Sequence, residues 1–174
     1  TIPYIANDLL WLADTEGAHC WYDNLIANKL HGVLYNWYAV NNIHQLAYFT
    51  RNGVKENGWR IPTMADWTEL LTLLGYDFDL MGGMLKERGL IHWNTPNTGA
   101  IDSVGFRAYG AGNRFIDTYD NNGFASYGIY GDFFTSEELM GAVATVYLKY
   151  DSTELIESTF AKYDGLNVRC VKNV

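Results

Sequence analysis

Gly58-Trp59-Arg60-Ile61-Pro62-Thr63-Met64-Ala65-Asp66-Trp67-Thr68-Glu69-Leu70-Leu71-Thr72-Leu73-Leu74-Gly75 carries every local signal of a helix start, body and stop. Thr63 is a good N-cap, because its hydroxyl can accept from a backbone amide of the first turn. Asp66, three positions on, completes a box-like pattern. Trp67, Leu70, Leu71 and Leu74 follow at i, i+3, i+4 and i+7, which makes one apolar stripe. Gly75 supplies a residue that tolerates the left-handed stop. Pro62 closes an extended entry segment. The reading is a helix over residues 63–74, packed by one face.

Outward from this helix the pattern changes with direction. Upstream, Asn24–Leu30 reads as a second helix that leads into the apolar run Val33-Leu34-Tyr35-Asn36-Trp37-Tyr38. Downstream, Met81–Glu87 reads as a short helical turn stopped by Gly89. Beyond Asp102 the pieces become strand-like. Residues 105–109 and 131–135 lie between glycines, and Ala142–Tyr150 and Glu154–Phe160 are longer strands. Asn122-Gly123 and Asp164-Gly165 are turn dipeptides, the second leading into a strand over Leu166–Val171. Helices first and an antiparallel sheet after them predict an α+β fold. No linker or fixed-period repeat divides the chain, so residues 1–174 form one expected domain.

Composition narrows the function classes. The chain is 48% apolar and 18% charged, with 6 Trp, 13 Tyr, 8 Phe and 17 Gly but only 3 Pro. Its formal net charge is −8, a field that repels phosphate backbones, so nucleic acid is not an expected partner. No apolar run approaches the ~18–20 residues of a membrane span, and no insertion is expected. Thr1-Ile2-Pro3-Tyr4-Ile5 lacks the basic and apolar regions of a signal peptide. Cys20 and Cys170 leave two readings open. They are either two separate buried thiols or a bridge closing a loop of about 150 residues, which would contribute about 4–5 kcal/mol.

Several ordered segments together carry a family resemblance. They begin with Cys20-Trp21-Tyr22-Asp23-Asn24, Gly32-Val33-Leu34-Tyr35-Asn36-Trp37-Tyr38-Ala39-Val40 and the Gly58-to-Thr63 run. Asp66-Trp67-Thr68-Glu69-Leu70 and Gly82-Gly83-Met84-Leu85-Lys86-Glu87 follow. His92-Trp93-Asn94-Thr95-Pro96-Asn97-Thr98-Gly99-Ala100, Gly105-Phe106-Arg107-Ala108 and Val168-Arg169-Cys170-Val171-Lys172 complete the series. Over roughly residues 2–173 the chain resembles the Fibrobacter succinogenes major paralogous domain family. That family looks related to the formylglycine-generating-enzyme branch of the C-type lectin fold. The resemblance implies two helices on a small, twisted antiparallel sheet with long loops. It also implies secreted or cell-surface proteins of Bacteroidetes-like bacteria, or tail proteins of their phages, some diversified by retroelements in the C-terminal stretch. The chain departs from its relatives at three places. Phe133-Phe134-Thr135-Ser136-Glu137-Glu138 replaces an aromatic-aromatic-Ser-Ser-Thr-Glu segment, and Ala144-Thr145 stands where a Trp-Tyr pair is common. Val54-Lys55-Glu56-Asn57 occupies the place of a further cysteine, which unsettles any family disulfide pattern.

Chemistry is weakly signalled. Neither cysteine has a Cys or His partner at ligand spacing, and His19 and Cys20 would point to opposite sides of a strand. His92 in its polar loop reads as a satisfied histidine. Asp117, Asp120, Asn121 and Asn122 could hold a hard cation, but they read as a solvated turn. No metal, cofactor or catalytic residue is therefore expected. Binding is the better-supported output, because Tyr offers rigid area with a hydroxyl handle. Trp93 and the tyrosines at 119, 127, 130, 147, 150 and 163 have polar neighbours. Alternation gives two rows, Thr145, Tyr147, Lys149 and Glu154, Ile156, Ser158, Phe160. The expected binding patch joins these rows to Trp93, Tyr127, Tyr130, Phe134, Glu138 and Tyr150.

These expectations amount to a receptor- or ligand-recognition module, extracellular or on a virion, at a phage tail tip or in a surface adhesin. Its partner would be a host or cell-surface protein or glycan, and a symmetric trimer is the assembly such a tip implies. The rivals are a secreted carbohydrate-binding or cell-envelope lipoprotein module and a formylglycine-generating-type enzyme.

Overall fold

The computed structural model describes residues 2–42, 46, 49–51, 54–56, 58–75, 77–115 and 123–173. In chain order the elements are α1 (Asp8–Ala13), β1 (His19–Cys20), β2 (Leu34–Tyr35), α2 (Trp37–Asn41), β3 (Phe49–Arg51), β4 (Val54–Glu56) and β5 (Trp59–Arg60). Then come α3 (Met64–Leu73), α4 (Phe78–Leu85), β6 (Asn113–Arg114), β7 (Phe124–Ala125), β8 (Tyr130–Leu139), β9 (Ala142–Lys149), β10 (Leu155–Phe160) and β11 (Val171–Lys172). The fold is α+β; among the described residues there are one three-stranded antiparallel sheet, in the order β10-β9-β8, and four two-stranded pairings.

The helix expected over 63–74 is α3. Thr63 accepts from the Asp66 amide while the Asp66 carboxylate accepts from the Thr63 amide, so both halves of the capping box are made. Arg60 forks onto the same carboxylate, its Nη2 2.5 Å from Oδ1. That fork holds the Asp66 carboxyl well below the usual carboxylate range. Gly75 takes φ +103°, the left-handed stop. The turn expected at 81–87 is the longer α4, which starts earlier because Asp77 caps the Asp79 amide. The helix expected at 24–30 is instead two 3-10 segments, Tyr22–Asn24 and Ile26–His31. Leu25, Ile26 and Leu30 are exposed there, so no buried stripe rewards a regular α-helix.

β8 and β9 form a hairpin through Met140-Gly141, both at positive φ (+51° and +86°), the geometry a two-residue turn of right-handed twist demands. The expected strands at 142–150 and 154–160 are β9 and β10, and the one at 131–135 is the core of β8. Residues 105–109 do not form a strand. Gly105 (φ +70°) and Arg107 (φ +54°) interrupt extension, leaving one bridge between Ala108 and Lys86. The strand expected over 166–171 is reduced to bridges at Leu166 and Asn167 and to β11, which pairs with β5. Asp164-Gly165 lies at the bend before it. Asp117, Tyr119, Asp120, Asn121 and Asn122 fall outside the described residues.

Consecutive side chains of β8 point to opposite faces, and the two phenylalanines use this to join two cores. Phe133 enters a cluster with Val146, Leu148 and Leu155 of the sheet, Trp67 and Leu71 of α3, and Met81 and Leu85 of α4. Phe134 enters another with Val143, Leu166, and Trp37 and Val40 of α2. A third cluster gathers Trp11, Ala18, Cys20 and Leu34. Cys20 and Cys170 are free and pack against different clusters, the two-thiol alternative. Lys86, fully buried at the end of α4, donates to the carbonyls of Thr98, Lys149 and Ser152 at 2.7–2.9 Å. Its ammonium also lies 5.5 Å from the centre of the Trp93 ring.

Candidate binding face

Register places one row of side chains on the sheet face that α3 and α4 do not cover. Tyr130 is opposite Lys149, and Asp132 is opposite Tyr147, which is opposite Ile156. Thr145 is opposite Ser158, and Val143 is opposite Phe160. Tyr130 and Tyr147 meet edge to face, with ring centroids 5.5 Å apart. Together with Ser158, Phe160, Asn113 from β6 and Ser126 they line an open cavity of about 190 Å³ around Asp132.

The floor of this cavity is polar and rich in acceptors. Asn113 Nδ2 donates to Asp132 Oδ2 at 2.9 Å, and both residues are buried. Burial pushes the Asp132 carboxyl up to about 7, the Asn113 hydrogen bond opposing this and the nearby Asp164 adding to it. Asp164 is itself pushed up to about 6 by burial. Asn113 Oδ1, Thr145 Oγ1 and Asp164 Oδ1 are buried without a hydrogen-bond partner among the described residues. These polar groups lie beneath the cavity, and the side chains that reach its opening are Tyr130, Tyr147, Ser158 and Phe160.

The expected patch separates into parts. Tyr130, Tyr147, Lys149, Ile156, Ser158 and Phe160 do share one face. Trp93, Phe134 and Thr145 are corrections, because all three are buried and present nothing to a partner. Trp93 donates Nε1 to the Ala108 carbonyl at 2.9 Å beneath Lys86, Phe134 belongs to the α2-facing core, and Thr145 sits between Phe134 and Ser158. Tyr150 packs partly buried against the α3–α4 core, the opposite side from Tyr147. Tyr127 joins a different aromatic group, its hydroxyl 2.9 Å from His31 Nδ1 and its ring against Tyr22. Glu138 is exposed and pairs with Lys162 at 2.7 Å, and Glu154 is exposed just before β10. Asn113 and Asp132 were missed. Their only sequence signal was an acidic residue at an inward position of a strand, which alternation alone does not flag.

A family model for the Fibrobacter succinogenes major domain matches residues 2–172. The chain belongs to that family. No curated protein and no solved structure matches it. Within this Fibrobacter succinogenes major domain the reactive groups are restrained. Burial pushes the Cys20 thiol up to about 11 and raises that of Cys170, so neither is a thiolate at neutral pH. His92 Nδ1 lies 2.7 Å from Glu87, with its ring stacked on Tyr109 at 4.1 Å. Among the described residues, no group of three or more His, Cys, Asp or Glu side chains converges as a metal-binding set. No described helix is long and apolar enough to cross a membrane.

Proposed function

We propose that this domain is a non-catalytic recognition module on a C-type-lectin-like frame, binding its partner through the β8–β9–β10 face. The observation that carries the reading is the Tyr130–Tyr147 edge-to-face pair over the buried Asn113–Asp132 floor, flanked by Ile156, Ser158 and Phe160. Aromatic anchors around a desolvated polar centre are the arrangement that dominates binding energy at protein interfaces. The protonated thiols of buried Cys20 and half-buried Cys170 weigh against nucleophilic cysteine chemistry. The setting is a phage tail tip or surface adhesin, extracellular or on a virion, presented as a symmetric oligomer to a host or cell-surface protein. The second reading, a secreted glycan-binding or envelope lipoprotein module, would use the same tyrosines.

Binding of the labelled domain to intact bacterial cells tests both, with a glycan array run in parallel. The Tyr130→Ala/Tyr147→Ala double variant should bind cells at least about 30-fold more weakly, the loss expected of central anchors. Retention of cell binding by the correctly folded double variant would sink the face assignment. Saccharide binding that fails in the double variant would favour the glycan reading over a protein receptor.

A further inference from the structure

A second concavity lies elsewhere and shares no lining residue with the sheet-face cavity. It is bounded by residues of His31–Tyr35 entering β2, by Phe106–Tyr109 and Asn167–Arg169, and by Phe133 of β8. Its volume of about 350 Å³ falls in the size class of small-molecule pockets. None of its lining residues is Asp or Glu, although the chain carries 20 acidic against 12 basic residues. The ionisable side chains facing it are instead Arg107, Arg169 and His31, joined by Tyr35 and Tyr109.

Both arginines are placed rather than free. Arg169 donates Nη2 to the Phe106 carbonyl at 2.5 Å and lies 4.7 Å over the Phe106 ring. A guanidinium has five N–H donors in a fixed fork, so this contact leaves others to bind an anion. Arg107 adopts φ +54°, its amide held by Asp102 Oδ1 at 2.9 Å, while its side chain is 68% exposed and only 3.8 Å from Asp102. Asn167 Nδ2 is buried without a hydrogen-bond partner among the described residues, so it belongs to the wall rather than to the donors the cleft exposes. Its amide oxygen lies where a Cβ on Gly32 would come within 2.8 Å, and Gly32 itself has φ +121°, so only glycine fits there. Tyr109 is fixed from behind by the His92 ring, which Glu87 in turn holds. The wall thus combines aromatic residues with two guanidiniums.

We propose that this cleft binds an anionic pyranose, a carboxylated or sulfated sugar, whose charge is held by Arg107 and Arg169 and whose ring lies against Tyr35 and Tyr109. The anion follows from two guanidiniums with no carboxylate in the lining, Asp102 standing outside it 3.8 Å from Arg107, since guanidiniums bind oxyanions by charge-assisted hydrogen bonds. The sugar class follows from two tyrosines, Tyr35 and Tyr109, in the lining, whose amphipathic rings combine apolar area with a hydroxyl. This site stands independently of the sheet face and would hold whichever partner that face takes.

Calorimetric titration of the intact domain with trigalacturonate, galactose 6-sulfate and galactose tests it. At least one anionic probe should bind at least about tenfold more tightly than galactose and weaken as salt is raised. The stronger of the two names the carboxylate or the sulfate as the source. Arg169→Gln and Arg107→Gln should each lower that affinity about tenfold at unchanged thermal midpoint, and Tyr109→Leu should weaken it as well. Tyr147→Ala, on the other face, should leave it alone. Equal affinity for galactose, absence of binding by all three probes, or loss caused by Tyr147→Ala but not by Arg169→Gln would each overturn the proposal.

Discussion

Asp132 illustrates how one residue makes the sheet face sensitive to pH. Its carboxyl is buried against Asn113, with Asp164 nearby and the Tyr147 ring across the strand pair, and ionises near 7 rather than near 3.8. Between those values the folded chain keeps a proton that the unfolded chain has released. By linkage this contribution favours the fold at low pH and fades as pH rises through about 7. Asp164, raised to about 6, contributes in the same direction. Urea midpoints taken from pH 4.5 to 8 should therefore fall for the parent chain. They should fall less steeply for Asp132→Asn, which keeps the shape and overtakes the parent above neutrality. Parallel curves for the two proteins would mean that another group sets the slope. The sequence announced Tyr147 and Lys149 through simple alternation, but not Asp132 or Asn113. Their meeting joins two strands 19 residues apart, and no local pattern encodes that.

Elements divide according to how local their causes are. α3 was readable because cap, stripe and stop all lie within a dozen residues, so Thr63, Asp66 and Gly75 could be interpreted without a neighbour. The segment at 105–109 was not, since its departure from extended geometry is set by positive φ at Gly105 and Arg107, where Asp102 holds the Arg107 amide. α4 shows the tertiary side of the same rule. A Cβ on Gly82 would lie 2.0 Å from the Glu154 carbonyl oxygen, and one on Gly83 2.5 Å from the Gly99 oxygen, both backbone atoms. Gly82 thus lets α4 lie directly on the entrance to β10, and Gly83 lets it lie on the loop at Gly99. Gly82→Ala should push them apart and destabilise the protein by about 3 kcal/mol or more, at the upper end of overpacking effects. Denaturant unfolding measures this, and a loss below about 1 kcal/mol would mean that the contact yields easily.

At the scale of the molecule, Arg114 ties the start of the chain to its middle. Its side chain is fully buried, donating to the Ile5 and Ala6 carbonyls at 2.8 and 2.9 Å and to Asp8 at 2.5 Å. The guanidinium lies 4.3 Å from the Trp11 ring centre and 5.2 Å from that of Phe124. Arg114→Met should cost about 1–3 kcal/mol, because it removes the hydrogen bonds to two carbonyls and to the half-exposed Asp8 carboxylate. Thermolysin should then cut first among residues 2–14, with fragments read by mass spectrometry; a protected N-terminal segment would refute this role. The overall α+β order was visible in the sequence, whereas this tie was not, since an arginine in Gly112-Asn113-Arg114 looks like any solvated charge until the segment it holds is seen. Phe133 and Phe134 have a wider consequence. A strand anchored in a core on each of its faces keeps its course when solvent-facing residues of the neighbouring β9 and β10 are exchanged. If this face is the recognition surface, as proposed, Tyr147, Ile156 and Ser158 can drift toward new targets over generations while selection on folding is felt elsewhere, so that novelty and heredity occupy different atoms of the same sheet.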